Sequence, residues 1–249
     1  MTTRAEFLER IRAQMGRTPG LFTAETAARP ARPAERLEVL RRELSERWRE
    51  NLERFRHEFE RVGGVLHRVA DPGAVPDVIA RIAGERGMHR VVAWHRGAIG
   101  LDVAAPLAAR GLEATAAPAG EVPDAERQRR RATAAAADLG VTGVDLAIAE
   151  TGTLVVVSGA GRPRSASLLP PCHVAVFGRE ALVESLLQAG LALEAWHDGV
   201  APAERGASIN CITGPSRTAD IELTLTRGVH GPKEVHAVFV EQGLAPRRG

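Results

Sequence analysis

The sequence predicts an α/β fold in which a mainly parallel sheet is layered between helices on both faces, with a helical extension at the N-terminus. Three observations lead there. From Val65 onward, short apolar runs alternate with helical patterns of about 10–15 residues, as in right-handed βαβ units. Hydrophobic residues make up 44% of the 249-residue chain and charged residues 26%, while aromatics are only 4% and Tyr is absent. A chain of that length and composition buries a core of Ala, Val and Leu without disulfides or a structural metal. Before residue 63 the alternation is missing and one long apolar stripe takes its place.

Residues 1 to 15 read as a short helix, and residues 16 to 33, rich in Pro, Gly and Ala, as an extended arm. From Ala34 to Val62, Leu37, Leu40, Leu44, Trp48, Leu52, Phe55 and Phe59 recur at spacings of three and four. They form one face of a long helix that Gly63-Gly64 closes. Such a stripe requires a surface, either the core or a second copy in a homo-oligomer. Residues 1–62 are thus expected to be an extension and residues 63–249 the α/β domain. Within it Val65–Val69, Arg90–Trp94 and a short segment near Glu113 read as strands. Ala74–Glu85, Leu101–Ala109 and Asp124–Leu139 read as helices, the last with Pro123 near its start and Gly140 after its end. Val144–Ala149 and Thr153–Val157 are apolar strands joined by Glu150-Thr151-Gly152, short enough to make them antiparallel. Val174–Phe177 leads into a helix over Glu180–Ala189, and Ser208–Thr213 and Val235–Val240 complete the sheet.

Charge and cysteine usage narrow the chemistry. Lys and Arg total 33 against 31 Asp and Glu, a formal net charge of +2, and the single lysine is Lys233. A P-loop lysine is therefore absent, Schiff-base chemistry would have to use Lys233, and interspersed charge of both signs argues against nucleic acid as a partner. Cys172 and Cys211 stand alone, which excludes a cysteine-ligated cluster held by this chain, and no metal-ligand spacing is recognisable, so no metal is expected. Glu6, Glu9, Arg10 and Arg12 interrupt what a signal peptide would need as an apolar run. The aliphatic run Leu154–Val157 is far short of the roughly 20 residues of a membrane span. A cytoplasmic location is the expectation.

Two motif-dense stretches carry the candidate chemistry. Ala149-Glu150-Thr151-Gly152-Thr153 sets a carboxylate and two hydroxyls at a turn between apolar strands, where Glu150 could act as base, nucleophile or ligand anchor. Stabilising the turn is the plainer role for the same groups. Gly214-Pro215-Ser216-Arg217-Thr218-Ala219-Asp220-Ile221-Glu222 follows a strand; its backbone donors, hydroxyls and Arg217 suit a phosphate or carboxylate, with Asp220 and Glu222 as acceptors. Close behind, Gly228-Val229-His230-Gly231-Pro232 fixes the backbone around His230. Between the two stretches lies Arg162-Pro163-Arg164-Ser165, which also suits anions. Gly159-Ala160-Gly161 lacks the third glycine of a dinucleotide fingerprint, so NAD binding of that kind is rejected.

In their order along the chain, Ala-Glu-Thr-Gly-Thr (149 to 153), Ser-Leu-Leu-Pro (167 to 170) before His173, the Gly-Pro-Ser run (214 to 222) and Gly-Val-His-Gly-Pro (228 to 232) resemble the lactate utilisation protein C family (LutC or YkgG), which carries the LUD domain. The resemblance covers roughly residues 60 to 240. It implies a fold like the NagB/RpiA/CoA-transferase group and a role in bacterial oxidation of L-lactate to pyruvate beside iron–sulfur partners like LutA and LutB. On that basis the chain is expected to be a non-redox subunit or accessory factor, with the clusters in its partners and no cofactor of its own. Glu150, Thr151, Thr153, Gly214, Ser216, Arg217, Thr218, Asp220, Glu222 and His230 would frame a pocket for a small carboxylate or phosphorylated ligand. The alternative is an independent enzyme: Glu150-Thr151-Gly152 resembles the Glu-Asn-Gly turn whose glutamate attacks acyl-CoA in CoA transferases, with Thr in place of Asn.

Overall fold

A computed structural model describes residues 3–16, 31–199, 208–218 and 226–245. In chain order the elements are α1 (Arg4–Gly16), α2 (Pro33–Glu46), α3 (Trp48–Arg61), β1 (Val65–Val69), α4 (Val75–Glu85), β2 (Arg90–Ala93), α5 (Arg96–Ile99), α6 (Ala104–Ala108), β3 (Glu113–Ala116), α7 (Asp124–Ala136), β4 (Leu139–Gly143), β5 (Leu146–Ile148), β6 (Thr153–Ser158), α8 (Ser165–Leu168), β7 (Cys172–Gly178), β8 (Leu182–Val183), α9 (Leu186–His197), β9 (Ser208–Ile212), β10 (Arg217–Thr218), β11 (Thr226–Arg227) and β12 (Glu234–Val240). The main sheet is six-stranded and parallel throughout, in the order β1-β12-β7-β4-β2-β3. A four-stranded sheet, β8-β5-β6-β9, stands beside it, with β5 and β6 antiparallel as the short turn between them requires.

Strand alternation divides the main sheet's side chains between two layers. Val174, Val176, Val238 and Val240 cluster with Ile79 and Ile82 of α4. Ala175, Phe177, Ala237 and Phe239 cluster with Leu52, Phe55 and Phe59 of α3. Phe177 meets Phe55 and Phe239 edge-on at 5.5 and 5.4 Å, and Trp48 stacks on Phe239 at 5.5 Å. Most of the chain's few aromatics therefore seat α3 on the sheet, where each such contact adds to what area burial alone supplies. Helix α3 is part of the core layer.

Five expectations change. Ser208–Ile212, expected to complete the sheet with Val235–Val240, pairs instead with β6 at the edge of the second sheet. The long helix over residues 34 to 62 is two helices, because Leu37 and Leu44 of α2 pack with Leu146, Ile148 and Val155 of the small sheet while α3 packs on the large one. The chain turns at Arg47 (φ −102°, ψ 14°), which bonds Glu50 and pairs with Glu184. Helix α7 ends at Ala136, and Leu139-Gly140, read as a helix end, belong to β4. Gly140 is small there because α8 crosses it: a Cβ would lie 1.8 Å from the Ala166 carbonyl oxygen. Residues 180 to 189 are a 3-10 turn, β8 and only the start of α9, whose N-cap is Ser185, its hydroxyl accepting from Gln188 N–H at 3.4 Å. Finally, the helix expected over Leu101–Ala109 is confined to Ala104–Ala108. Most of the arm, residues 17 to 30, lies outside the described residues.

Candidate functional site

The two motif turns meet at the C-terminal end of α3. Gly152 (φ +61°) presses on the helix backbone, where a Cβ would lie 2.4 Å from Phe59 N, and Gly214 (φ +80°) presses on Val62. Both positions need glycine for conformation and for space. The contact aligns three hydroxyls: Thr151 Oγ1 lies 2.7 Å from Thr153 Oγ1, which lies 2.8 Å from Thr213 Oγ1. Thr153, the middle hydroxyl, is buried, while Thr151 is half-buried and Thr213 exposed, so the chain meets the surface at Thr213.

The second pair of motifs forms a clasp. Ser216 N–H donates to the Pro232 carbonyl at 2.9 Å, Gly228 N–H to the Ser216 carbonyl at 3.0 Å, and His230 N–H to Ser216 Oγ at 3.3 Å. Gly228 (φ +84°) leaves room for the stem of Lys233, whose Cγ would be 2.2 Å from a Cβ there. Lys233 and Glu234 N–H groups both donate to the Pro171 carbonyl, at 2.8 and 3.2 Å. The turn before β7, the Gly-Pro-Ser loop and the Gly-Val-His loop thus converge at the amino ends of β7 and β12. Thr213, Arg217, His230 and Lys233 are all exposed on this rim. A hydroxyl, a guanidinium, an imidazole and an ammonium around one set of loops suit a small anion. Asp220 and Glu222 lie outside the described residues, and of Thr218 only the backbone is described.

Glu150 is turned elsewhere. Its carboxylate accepts from Leu186 N–H at 2.9 Å, in the first turn of α9, where the helix dipole favours negative charge, and its own N–H donates to the Glu184 carbonyl at 3.0 Å. Among the described residues no hydrogen bond or ion pair joins Glu150 to Ser216, His230 or the threonine hydroxyls.

The fold also assembles groups that sequence spacing did not suggest. Arg81 Nη2 lies 3.3 Å from His67 Nδ1, His67 Nε2 3.0 Å from His236 Nδ1, and His236 Nε2 3.3 Å from Glu234 Oε2, which also accepts from Arg86 Nε at 2.5 Å. Arginine only donates, so the neutral tautomers follow: each imidazole carries its proton on Nε2. Burial lowers both imidazoles from the ordinary range, His67 to about 4. Cys172 lies beside this chain, its thiol pushed up to about 12 by burial. On the opposite face His173 is fully buried. Its Nε2 is 2.9 Å from Thr142 Oγ1, its Nδ1 has no partner among the described residues, and burial lowers it to about 3. The β1–β12, β7–β12 and β4–β7 pairings bring these groups together, so no local motif announces them.

At the opposite, carboxyl edge of the sheet, a half-open cavity of about 240 Å³ lies between β2, β3, α7 and the start of α8. Thr115, Arg129, Arg130, Thr133 and Ser165 line it over an alanine-rich floor. Arg129 and Arg130 both pair with Glu126, leaving one net positive charge.

Residues 52–240 match the LUD domain family. Lactate utilization protein C of Halalkalibacterium halodurans is 43% identical over 117 residues, 47% of this chain and 50% of that protein. The protein of the same name from Geobacillus sp. is 38% identical over 108 residues, 42% of each, and that from Exiguobacterium sp. 39% identical over 118 residues, 47% of this chain and 49% of that protein. The matched segment spans about half the length of these relatives. Among solved structures, a DUF162 family protein from Deinococcus radiodurans superposes with a TM-score of 0.54 at 22% identity, covering 78% of this chain and 98% of that one, which bears on the fold alone.

Proposed function

Because the chain belongs to the LUD domain family, we propose that it serves in lactate utilisation, as a non-redox subunit or accessory factor beside partners that hold iron–sulfur clusters. The observation that carries this reading is the similarity to proteins named lactate utilization protein C, at 38–43% identity in the three cases given. In this reading the rim of Thr213, Arg217, His230 and Lys233 receives a small carboxylate or phosphorylated ligand. The Ser216–His230 clasp fixes the loops that present it, and Thr151 and Thr153 support the same loops from below. Glu150 then acts as a positioning residue by holding α9 against the turn. The cavity beside Arg130 also carries the charge for such an anion.

The test is complementation of a strain lacking this chain, grown on L-lactate as sole carbon source. Wild type is expected to restore growth and Ser216→Ala with His230→Ala to reduce it at least tenfold, with both proteins soluble at normal levels. If Arg130→Met rather than the Ser216 and His230 changes abolishes growth, the ligand sits in the cavity. Anaerobic affinity purification from lactate-grown cells is expected to bring down iron-bearing proteins. A deletion strain that grows normally on lactate would overturn the proposal.

A further inference from the structure

We propose that Cys172, Glu234 and His236 form a binding site for a divalent, borderline-soft metal ion such as Zn²⁺, independent of the anion site proposed above. Glu234 and Cys172 are paired residues in the β12–β7 register, and His236 follows two positions later, so all three side chains leave the same face of the sheet. One ligand atom from each, a thiol sulfur, a carboxylate oxygen and an imidazole nitrogen, lies within 4.8 Å of the others. Tetrahedral zinc bond lengths set ligand atoms roughly 3.5 Å apart, so shifts of about an ångström close the set around an ion. Three mixed S, N and O ligands with a fourth position open is the arrangement of a reactive rather than a purely structural zinc site.

The surroundings match what orients metal ligands. Arg86 donates to Glu234 Oε2 at 2.5 Å and His67 meets the far nitrogen of His236 at 3.0 Å, so the carboxylate and the imidazole each have an outer partner. Burial keeps both imidazoles neutral, the form that ligates. The His236 proton moves from Nε2 to Nδ1 and donates to His67 Nε2, and the His67 proton moves to Nδ1, displacing Arg81, whose side chain is half exposed. Cys172 gives its proton to solvent as the sulfur–metal bond forms, so one proton is released per ion. Two anionic ligands balance the ion, and the Arg86 charge that remains favours an anionic oxygen ligand at the open position.

The experiment is titration of the purified, chelator-stripped full chain with Co²⁺. Expected at one equivalent are a thiolate-to-cobalt charge-transfer band in the near ultraviolet and visible d–d bands of tetrahedral intensity, all abolished by added Zn²⁺. Cys172→Ser should remove the charge-transfer band, His67→Ala should weaken binding about 10- to 100-fold, and Cys211→Ser should change nothing. Circular dichroism establishes that each variant is folded, and His236→Gln replaces Cys172→Ser if the latter is not. Absence of the band in the folded wild-type chain overturns the proposal, as does a band that survives both Cys172→Ser and His236→Gln.

Discussion

His173 shows how much one residue can depend on a single neighbour. Its imidazole has no exposure to solvent, and Thr142 Oγ1 at 2.9 Å satisfies one of its two nitrogens. Thr142→Val keeps the shape but removes that partner, leaving both nitrogens buried without a bond. A loss of about 1–3 kcal/mol is expected, read as a lower urea midpoint at unchanged slope; an unchanged midpoint would mean that His173 finds another partner. The sequence had set His173 beside a Ser-Leu-Leu-Pro turn but could not reveal that β4 supplies its partner. Gly140 carries the same lesson: as a letter it suggests a helix stop, whereas in the fold it lets the Ala166 carbonyl approach β4.

Helix α9 is the element in which the candidate chemistry and the architecture compete for one side chain. Ser185 caps it, and Glu150 reaches across from the β5–β6 turn to accept from Leu186 N–H. Glu150→Ala is expected to cost about 0.5–2 kcal/mol, the usual range for a lost helix cap, seen as a small fall in melting temperature. If the same variant stops growth on lactate while its melting temperature is unchanged, Glu150 acts on a ligand rather than through α9. The expectation of a helix over Glu180–Ala189 places this start too early: the apolar run hides the N-cap at Ser185, whose hydroxyl accepts from Gln188 N–H. The break between α2 and α3 was not legible, since one continuous stripe serves two different surfaces and nothing in its period marks where they change.

For the molecule as a whole, three histidines on adjacent strands tie stability to pH. His67, His173 and His236 are all lowered by burial, His67 to about 4 and His173 to about 3. The unfolded chain, with imidazoles near 6.5, binds more protons than the folded one throughout the interval below that value. Their contribution is thus fully present above about pH 6.5 and declines as pH falls towards 4. The melting temperature is expected to drop by roughly 5–10 °C over that interval, on the order of a few kcal/mol, and to drop less in a His173→Phe variant that folds, which keeps His67 and His236. A profile with no fall between pH 6.5 and 4 would contradict the burial of these rings. Periodicity and turn residues sufficed for the α/β class, for most strands of the main sheet and for the motif loops, because amphipathic period and backbone freedom are properties of short segments. Tertiary structure alone decided which loops share a rim, that Glu150 faces α9, and that Cys172, Glu234 and His236 stand together. Those juxtapositions depend on strand order and register, which join residues some 60 positions apart through backbone pairing that leaves no local mark in the sequence.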